Sequence, residues 1–201
     1  MAQFKRSYSE TGELEYEWFE MNGKKEGEFK EYYENGQLQM ICIYVDNKKN
    51  GELKYYLSNG CLSFNETYVD DQLHGLSVRF YSTNHPEIIT NYLNGKKHGE
   101  FISYDVNNNL FCIKNYANDN LNGLCKYFFA NGKLKSVCNY VDNKKEGEEV
   151  LYYNNGPVKT TRNYVNDILD GPYKEFNLKG KLTSLYSYID GEKNSLQEYK
   201  R

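Results

Sequence analysis

Strand-forming residues and turn formers alternate along the whole chain on one fixed beat. From Gly27 to Asn50, runs rich in Tyr, Ile, Phe and Val are broken at Asn35-Gly36 and again at Asp46-Asn47. The first break recurs as Asn59-Gly60, Asn131-Gly132 and Asn155-Gly156, with Gly12 and Gly180 in the same register. Asn84 and Asn108 stand where glycine stands elsewhere, and Asn is the best tolerated substitute at positive φ. The second break recurs as Asn22-Gly23, Asp70-Asp71, Asn94-Gly95, Asn118-Asp119, Asp142-Asn143, Asn166-Asp167 and Asp190-Gly191. Asn-Gly between strand formers signals a two-residue type I′ hairpin, whose central residues both need positive φ. No amphipathic helical period carries from one unit to the next. Each unit therefore predicts two antiparallel strands, about 11 and 9 residues long if both loops have two residues.

Two columns fix the period. Gly27, Gly51, Gly75, Gly99, Gly123, Gly147 and Gly171 are each 24 residues apart, as are Tyr44, Tyr68, Tyr92, Tyr116, Tyr140, Tyr164 and Tyr188. A period of this length marks stacked supersecondary units. The expected fold is all-β: an elongated open antiparallel sheet, or β-solenoid, of about eight 24-residue hairpin repeats. Residues 4–200 form a single array in this reading, with 1–3 as an N-terminal tail. The glycine and tyrosine columns are its repeat-defining structural residues. Glycine inside a strand marks a bulge or a close backbone approach, so the glycine column is expected to absorb the unequal strand lengths. Alternation places Leu38 and Tyr44 on one face with Phe29 and Tyr33, and Tyr32, Ile41, Ile43 and Val45 on the other. A two-residue loop at Asn118-Asp119 pairs Tyr116 with Leu121, Ile113 with Leu124, and Cys112 with Cys125. Those two cysteines are expected as thiols that fill space like small hydrophobes.

Composition narrows the function classes. Aromatics make up 16% of the 201 residues, 21 of them Tyr, which a disordered chain would lack. A net charge of −3, with both signs interspersed, offers no basic face for nucleic acid and little attraction to an anionic membrane. No stretch approaches the ~20 apolar residues of a membrane helix. Met1-Ala2-Gln3-Phe4-Lys5-Arg6 holds no apolar run of the signal-peptide kind. Five cysteines without metal-type spacing suit a reducing compartment. A cytoplasmic location is the expectation.

Residues that could carry chemistry read as structural. The glycines sit in turns and strands, not between a strand and a helix N-terminus, so no phosphate loop is present. His74 and His98 share a register one unit apart, roughly 10 Å along a sheet, too far to share a zinc ion; with His85 they read as surface polar residues. Glu28, Glu52, Glu100 and Glu148 form a column, but an open sheet offers no enclosed pocket to shift a pKa. Lys24-Lys25, Lys48-Lys49, Lys96-Lys97 and Lys144-Lys145 flank the second turn beside Asp and Glu, and read as cross-strand pairing rather than a basic stripe. No catalytic, cofactor-binding or metal-binding residue is assigned, and no cofactor is expected.

The stretch Tyr-Val-Asp-Asn-Lys-Lys-Glu-Gly-Glu (140–148), followed by Tyr-Tyr-Asn-Asn-Gly (152–156), resembles the MORN repeat, as does Asn-Gly-Lys-Lys-His-Gly-Glu (94–100). The likeness is to the 24-residue variant of bacterial and large-virus proteins and covers essentially 4–200. It departs at Ser82–Pro86, where a local irregularity is the favoured reading and a binding spot the alternative. The resemblance implies an elongated twisted sheet of hairpins and a binding role: scaffolding, self-association, or neutralising a toxin as antitoxin-type members do. Some eukaryotic relatives are linked to membrane lipids. The expected function is thus a non-enzymatic intracellular scaffold that binds another protein through a tyrosine-rich surface. A lipid-recognising module is the alternative, and an enzyme the remote one.

Overall fold

The computed structural model describes residues 1–194; the last positions of the expected array, 195–200, lie outside the described residues. Strands and turns account for the described chain, with no helix. Two compact units divide it, 1–97 and 98 onward. The first contains β1 (Gln3–Tyr8), β2 (Leu14–Met21), β3 (Lys24–Tyr32), β4 (Leu38–Val45), β5 (Lys48–Tyr56), β6 (Leu62–Val69), β7 (Gln72–Phe80) and β8 (Pro86–Leu93). Each pairs antiparallel with the next. The second unit takes in β9 (Lys96–Tyr104) from His98 on, then β10 (Leu110–Ala117), β11 (Asn120–Leu121), β12 (Gly123–Phe128), β13 (Leu134–Val141), β14 (Lys144–Lys145), β15 (Gly147–Tyr152), β16 (Val158–Val165), β17 (Ile168–Phe176), β18 (Leu182–Ile189) and β19 (Glu192–Asn194). It too is an antiparallel meander, in which β11 with β12, and β14 with β15, act as single interrupted strands. Each unit is an open sheet of hairpins, not a closed barrel.

The two breaks in the sequence make different turns. Asp46 and Asn47 have φ of 51° and 68°, the left-handed pair a type I′ turn requires. Asn35-Gly36 does not follow the two-residue expectation. Tyr33 N–H donates to the Gln37 carbonyl at 2.9 Å, and Gly36 N–H to the Tyr33 carbonyl at 2.8 Å, so the loop has three residues. Only Gly36 has positive φ, 78°, which makes it a type I turn closed by a bulge residue. The Asn35 side chain accepts from Gln37 N–H at 3.0 Å and holds the loop shut. The strands are accordingly 9 and 8 residues, shorter than expected. At Ser82–Pro86 the sequence departs but the backbone does not: Tyr81 and His85 close the same loop, and Asn84 takes φ of 65° in place of glycine.

The glycine column is where each ladder slips. All seven glycines have φ between 83° and 121°. Each lies opposite the tyrosine of its own hairpin, as Gly123 opposite Tyr140 and Gly147 opposite Tyr164. On the other side of the same strand the register jumps by two residues. Near the turn Tyr116 pairs with Leu121 as expected, yet Ile113 pairs with Lys126 and Cys112 with Tyr127. The expected Ile113–Leu124 and Cys112–Cys125 pairs do not form; Cys125 faces Cys138 instead, and all five cysteines are free thiols. A Cβ on Gly123 would come within 3.3 Å of Asn115 Cβ, and the Asn115 amide donates to the Leu124 carbonyl beside the bulge at 2.9 Å.

Because this slip is an even number of residues, it leaves the faces unchanged. A separate one-residue bulge beside the Asn35 loop pairs Leu38 with Tyr32, so Leu38 lies on the Tyr32 face and not, as expected, with Tyr44 and Phe29. Phe29 and Tyr44 touch on one face, which also holds Tyr33; Tyr32 points the other way, to Glu17. With a single layer, burial comes from neighbours in the same sheet. Trp18, Phe29, Cys42 and Leu53 form one row across β2 to β5, the last three only 2–5% exposed. In the second unit Cys125 and Cys138 fill the corresponding row at 1% and 4% exposure.

Gly147 has open space where a Cβ would go, so its φ of 83° alone decides what fits. Gly147→Val should cost about 1–3 kcal/mol of folding free energy, and Gly147→Asn distinctly less. Urea midpoints of the two variants measure this, and equal midpoints would contradict the bulge account.

Candidate functional site

Within each unit, alternation along the strands gathers aromatic rings onto one face. Tyr55 and Phe64 stack at 5.0 Å between centroids, Tyr16 meets Phe29 at 5.8 Å, and Phe29 meets Tyr44 at 5.4 Å. In the second unit Tyr173 stands 6.0 Å from Tyr186 and 5.8 Å from Tyr188. Most of these rings are half-buried, so each contributes packing and still presents an edge or face to solvent.

The second lysine of each turn-flanking pair lies on this face, which the sequence reading missed. Lys25 Nζ sits 4.0 Å above Phe29 and 5.2 Å from the Tyr44 ring; Lys49 lies 5.1 Å over Tyr68 and Lys145 4.8 Å over Tyr164. A lysine there covers the ring with its methylenes and holds its charge against the π face. The clue in the sequence is that Leu73, Leu121 and Leu169 occupy the same column, so the position needs an aliphatic stem. The first lysines pair as expected: Lys24 with Asp46 at 3.2 Å and Lys48 with Asp70 at 3.6 Å.

One carboxylate is buried. Glu149, 6% exposed, occupies the place that Phe29, Leu53 and Cys125 hold in other repeats. Lys145 Nζ bonds it at 2.7 Å and Arg162 Nε bonds its other oxygen. Burial alone would depress Lys145, but its bond to Glu149 outweighs that and lifts its pKa above the ordinary lysine value. Tyr44 is pushed up to about 12, chiefly by burial and then by Cys42. Tyr32 is likewise pushed up to about 12, by burial and by donating its hydroxyl to Glu17 at 2.7 Å.

The remaining candidates from the sequence stay apart. His74 lies 3.3 Å from Asn94 Oδ1, and His85 packs on Tyr81 at 5.1 Å. Among the described residues no group of His, Cys, Asp and Glu is arranged to hold a metal ion. Glu28 pairs with Lys30 at 2.5 Å and Glu52 with Lys54 at 2.9 Å, each on its own strand. No helix among the described residues is long and apolar enough to cross a membrane.

The repeat geometry agrees with one known family. A family model described as the MORN repeat variant matches residues 25–46, 121–142 and 145–166. Each match spans one strand, the three-residue loop and the returning strand, in the same phase of the period. These stretches are MORN repeats of the variant type. MORN repeats are generally protein- or lipid-interaction repeats, and the family is typically a non-catalytic scaffold. Curated proteins provide no match to the chain. Among solved structures, "Crystal Structure of TcdB2-TccC3-Cdc42" aligns at 10% identity over 94% of this chain and 12% of that one, with a TM-score of 0.26. "ASR Alternansucrase in complex with isomaltononaose" aligns at 13% identity over 95% of this chain and 18% of that one, with a TM-score of 0.19. The chain thus spans under a fifth of either, and both scores are too low to indicate a shared fold.

The hairpin array should weaken in alkali. A tyrosine raised from 10 to about 12 on folding stabilises the folded chain fully below pH 10. Above that pH the unfolded chain releases tyrosine protons that the folded chain retains, so stability falls as pH rises from 10 towards 12. Urea midpoints across that range, with tyrosinate absorbance alongside, should both move; a flat midpoint would contradict it. Glu149→Leu should destabilise by about 2–3 kcal/mol, less than a fully buried pair because Lys145 and Arg162 keep part of their hydration. Adding Lys145→Met and Arg162→Met should recover most of the loss in the same urea assay.

Proposed function

We propose that the chain is a non-enzymatic binding platform for another protein, docked on the aromatic face. The observation that carries this reading is a row of half-buried Tyr and Phe rings in a single-layered sheet, with no second layer over them among the described residues. Half-buried tyrosines are pre-ordered by their neighbours, so a partner gains contact area at low entropic cost, and Tyr is enriched among interface anchors. The general role of MORN repeats supports the reading. Holding a protein toxin inactive is one form such binding would take.

A second reading has its own observation. Met21, Val45, Val69 and Leu93 in the first unit, and Val141, Val165 and Ile189 in the second, are exposed at the strand ends next to the type I′ turns. Lys24, Lys48 and Lys144 are paired with Met21, Val45 and Val141. Apolar residues beside lysines suit a lipid surface.

The experiment is capture from the source organism with the wild-type chain and with a folded Tyr55→Ser, Tyr173→Ser variant. The protein reading expects a defined partner whose recovery drops about tenfold or more in the variant. Undiminished recovery would contradict the aromatic face. Co-sedimentation with anionic vesicles at low salt, abolished by Val45→Ser with Val69→Ser, would transfer the function to the lipid reading.

A further inference from the structure

We infer that a tyrosine-lined groove in the first unit docks an arginine side chain of the partner protein. The inference rests on the platform reading above and names the chemistry of its occupant.

A groove of about 460 Å³ opens beside the Asn35 loop, between β2, β3 and the start of β4. Tyr16, Tyr33 and Gln39 form part of its wall, and Glu15, Glu31 and Glu34 line it. Tyr33 is held in place by donating its hydroxyl to the Tyr56 carbonyl at 2.7 Å. The Tyr33 ring is therefore fixed before any ligand arrives.

The repeat supplies an internal comparison. One period on from Glu15 and Glu31 stand Gln39 and Tyr55. There the Gln39 amide donates to the Tyr55 hydroxyl at 3.0 Å, a bond between neutral groups. Here the same two positions are both carboxylates, and Glu34 adds a third where the next repeat has Ser58. The fold does not require acid at any of the three. None has an ion-pair partner among the described residues, whereas nearby Glu17 meets Arg6 and Lys30, and Glu28 meets Lys30. The local charge agrees: the first 35 residues carry nine acidic and five basic side chains, in a chain of net charge −3. The hydroxyl of Tyr16 feels the same field, its pKa raised first by Glu31, then by burial and Glu15.

The second unit holds the same frame without the charge. Tyr153 donates to the Phe176 carbonyl at 2.9 Å, as Tyr33 does to Tyr56, and borders a groove with Lys133 and Asn154. The positions of Glu15, Glu31 and Glu34 are there Lys135, Leu151 and Asn154. Of these two grooves, the first alone joins aromatic walls to uncompensated negative charge. A guanidinium is flat enough to stack on a tyrosine face and presents a fork of donors to carboxylates, which suits arginine over lysine.

The test uses the full chain, a fluorescent arginine–glycine repeat peptide, and the same peptide with citrulline in place of arginine. Polarisation at low salt should show the arginine peptide bound and the citrulline peptide about tenfold weaker or more. Glu31→Gln with Glu34→Gln should cause a similar loss. Glu87→Gln, an acid on the same unit outside the groove, and Tyr153→Phe should leave binding unchanged. Equal binding of both peptides, no binding by the folded wild-type chain, or an equal loss in Glu87→Gln would overturn the inference. Should the double variant fail to fold, the citrulline comparison on the wild-type chain decides alone. A chain that captures a partner through its aromatic face yet ignores the arginine peptide would sink the groove and leave the platform standing.

Discussion

The row-by-row packing of this chain depends on the two-residue slip at each glycine. Trp18 leads across the ladder to Phe29, and Phe29 to Cys42, which is 24 residues beyond Trp18. The step across two strands therefore equals one period of the sequence. If the register near the turn, where Met21 meets Lys24, ran the length of the strand, every repeat would be offset from the last by two more residues. The columns of like residues would then shear apart. Removing the drift needs a backbone excursion at one fixed place in each repeat, and glycine at positive φ makes it cheaply.

Once rows coincide with columns, a sheet without a second layer can still bury side chains. Cys42, Cys112 and Cys125 leave water because neighbours on adjacent strands close over them, not because another layer covers them. The cost of this solution is that rings at the margins of the rows stay half in water. Cross-strand contacts are modest singly and accumulate only through repetition. The surface that stabilises the array is the same one offered to a partner. Where a repeat abandons the apolar pattern it does so with compensation, as Glu149 with Lys145 and Arg162, or without, as Glu15, Glu31 and Glu34.

Much of this was legible in the residues themselves. The two-residue turns at Asp46-Asn47 and its repeats were plain from their turn-forming residues, and the structure adds that they are type I′, with positive φ at both positions. The glycine column was recognised as a site of irregularity, and the faces followed from alternation except at Leu38, where a one-residue bulge beside the loop reverses it. The loop at Asn35-Gly36 was misread because Asn-Gly suits a type I turn with a bulge as well as a type I′ turn. The Cys112 register failed for a related reason: a strand glycine says that a ladder slips, not by how many residues. Lys25 over Phe29 was hidden because a lysine pair beside aspartates looks like solvated charge until the leucines sharing its column are weighed. The acidic groove was invisible to a search for repetition, since it is made of departures from the repeat.

Cross-strand nuclear Overhauser contacts between backbone protons in labelled protein test the slip most directly. The account predicts contacts of Tyr116 with Leu121 and of Ile113 with Lys126 in the same hairpin, with none between Ile113 and Leu124. Contacts of Ile113 with Leu124 and of Cys112 with Cys125 would mean an unbroken ladder, and the alignment of rows with the sequence period would have to be abandoned.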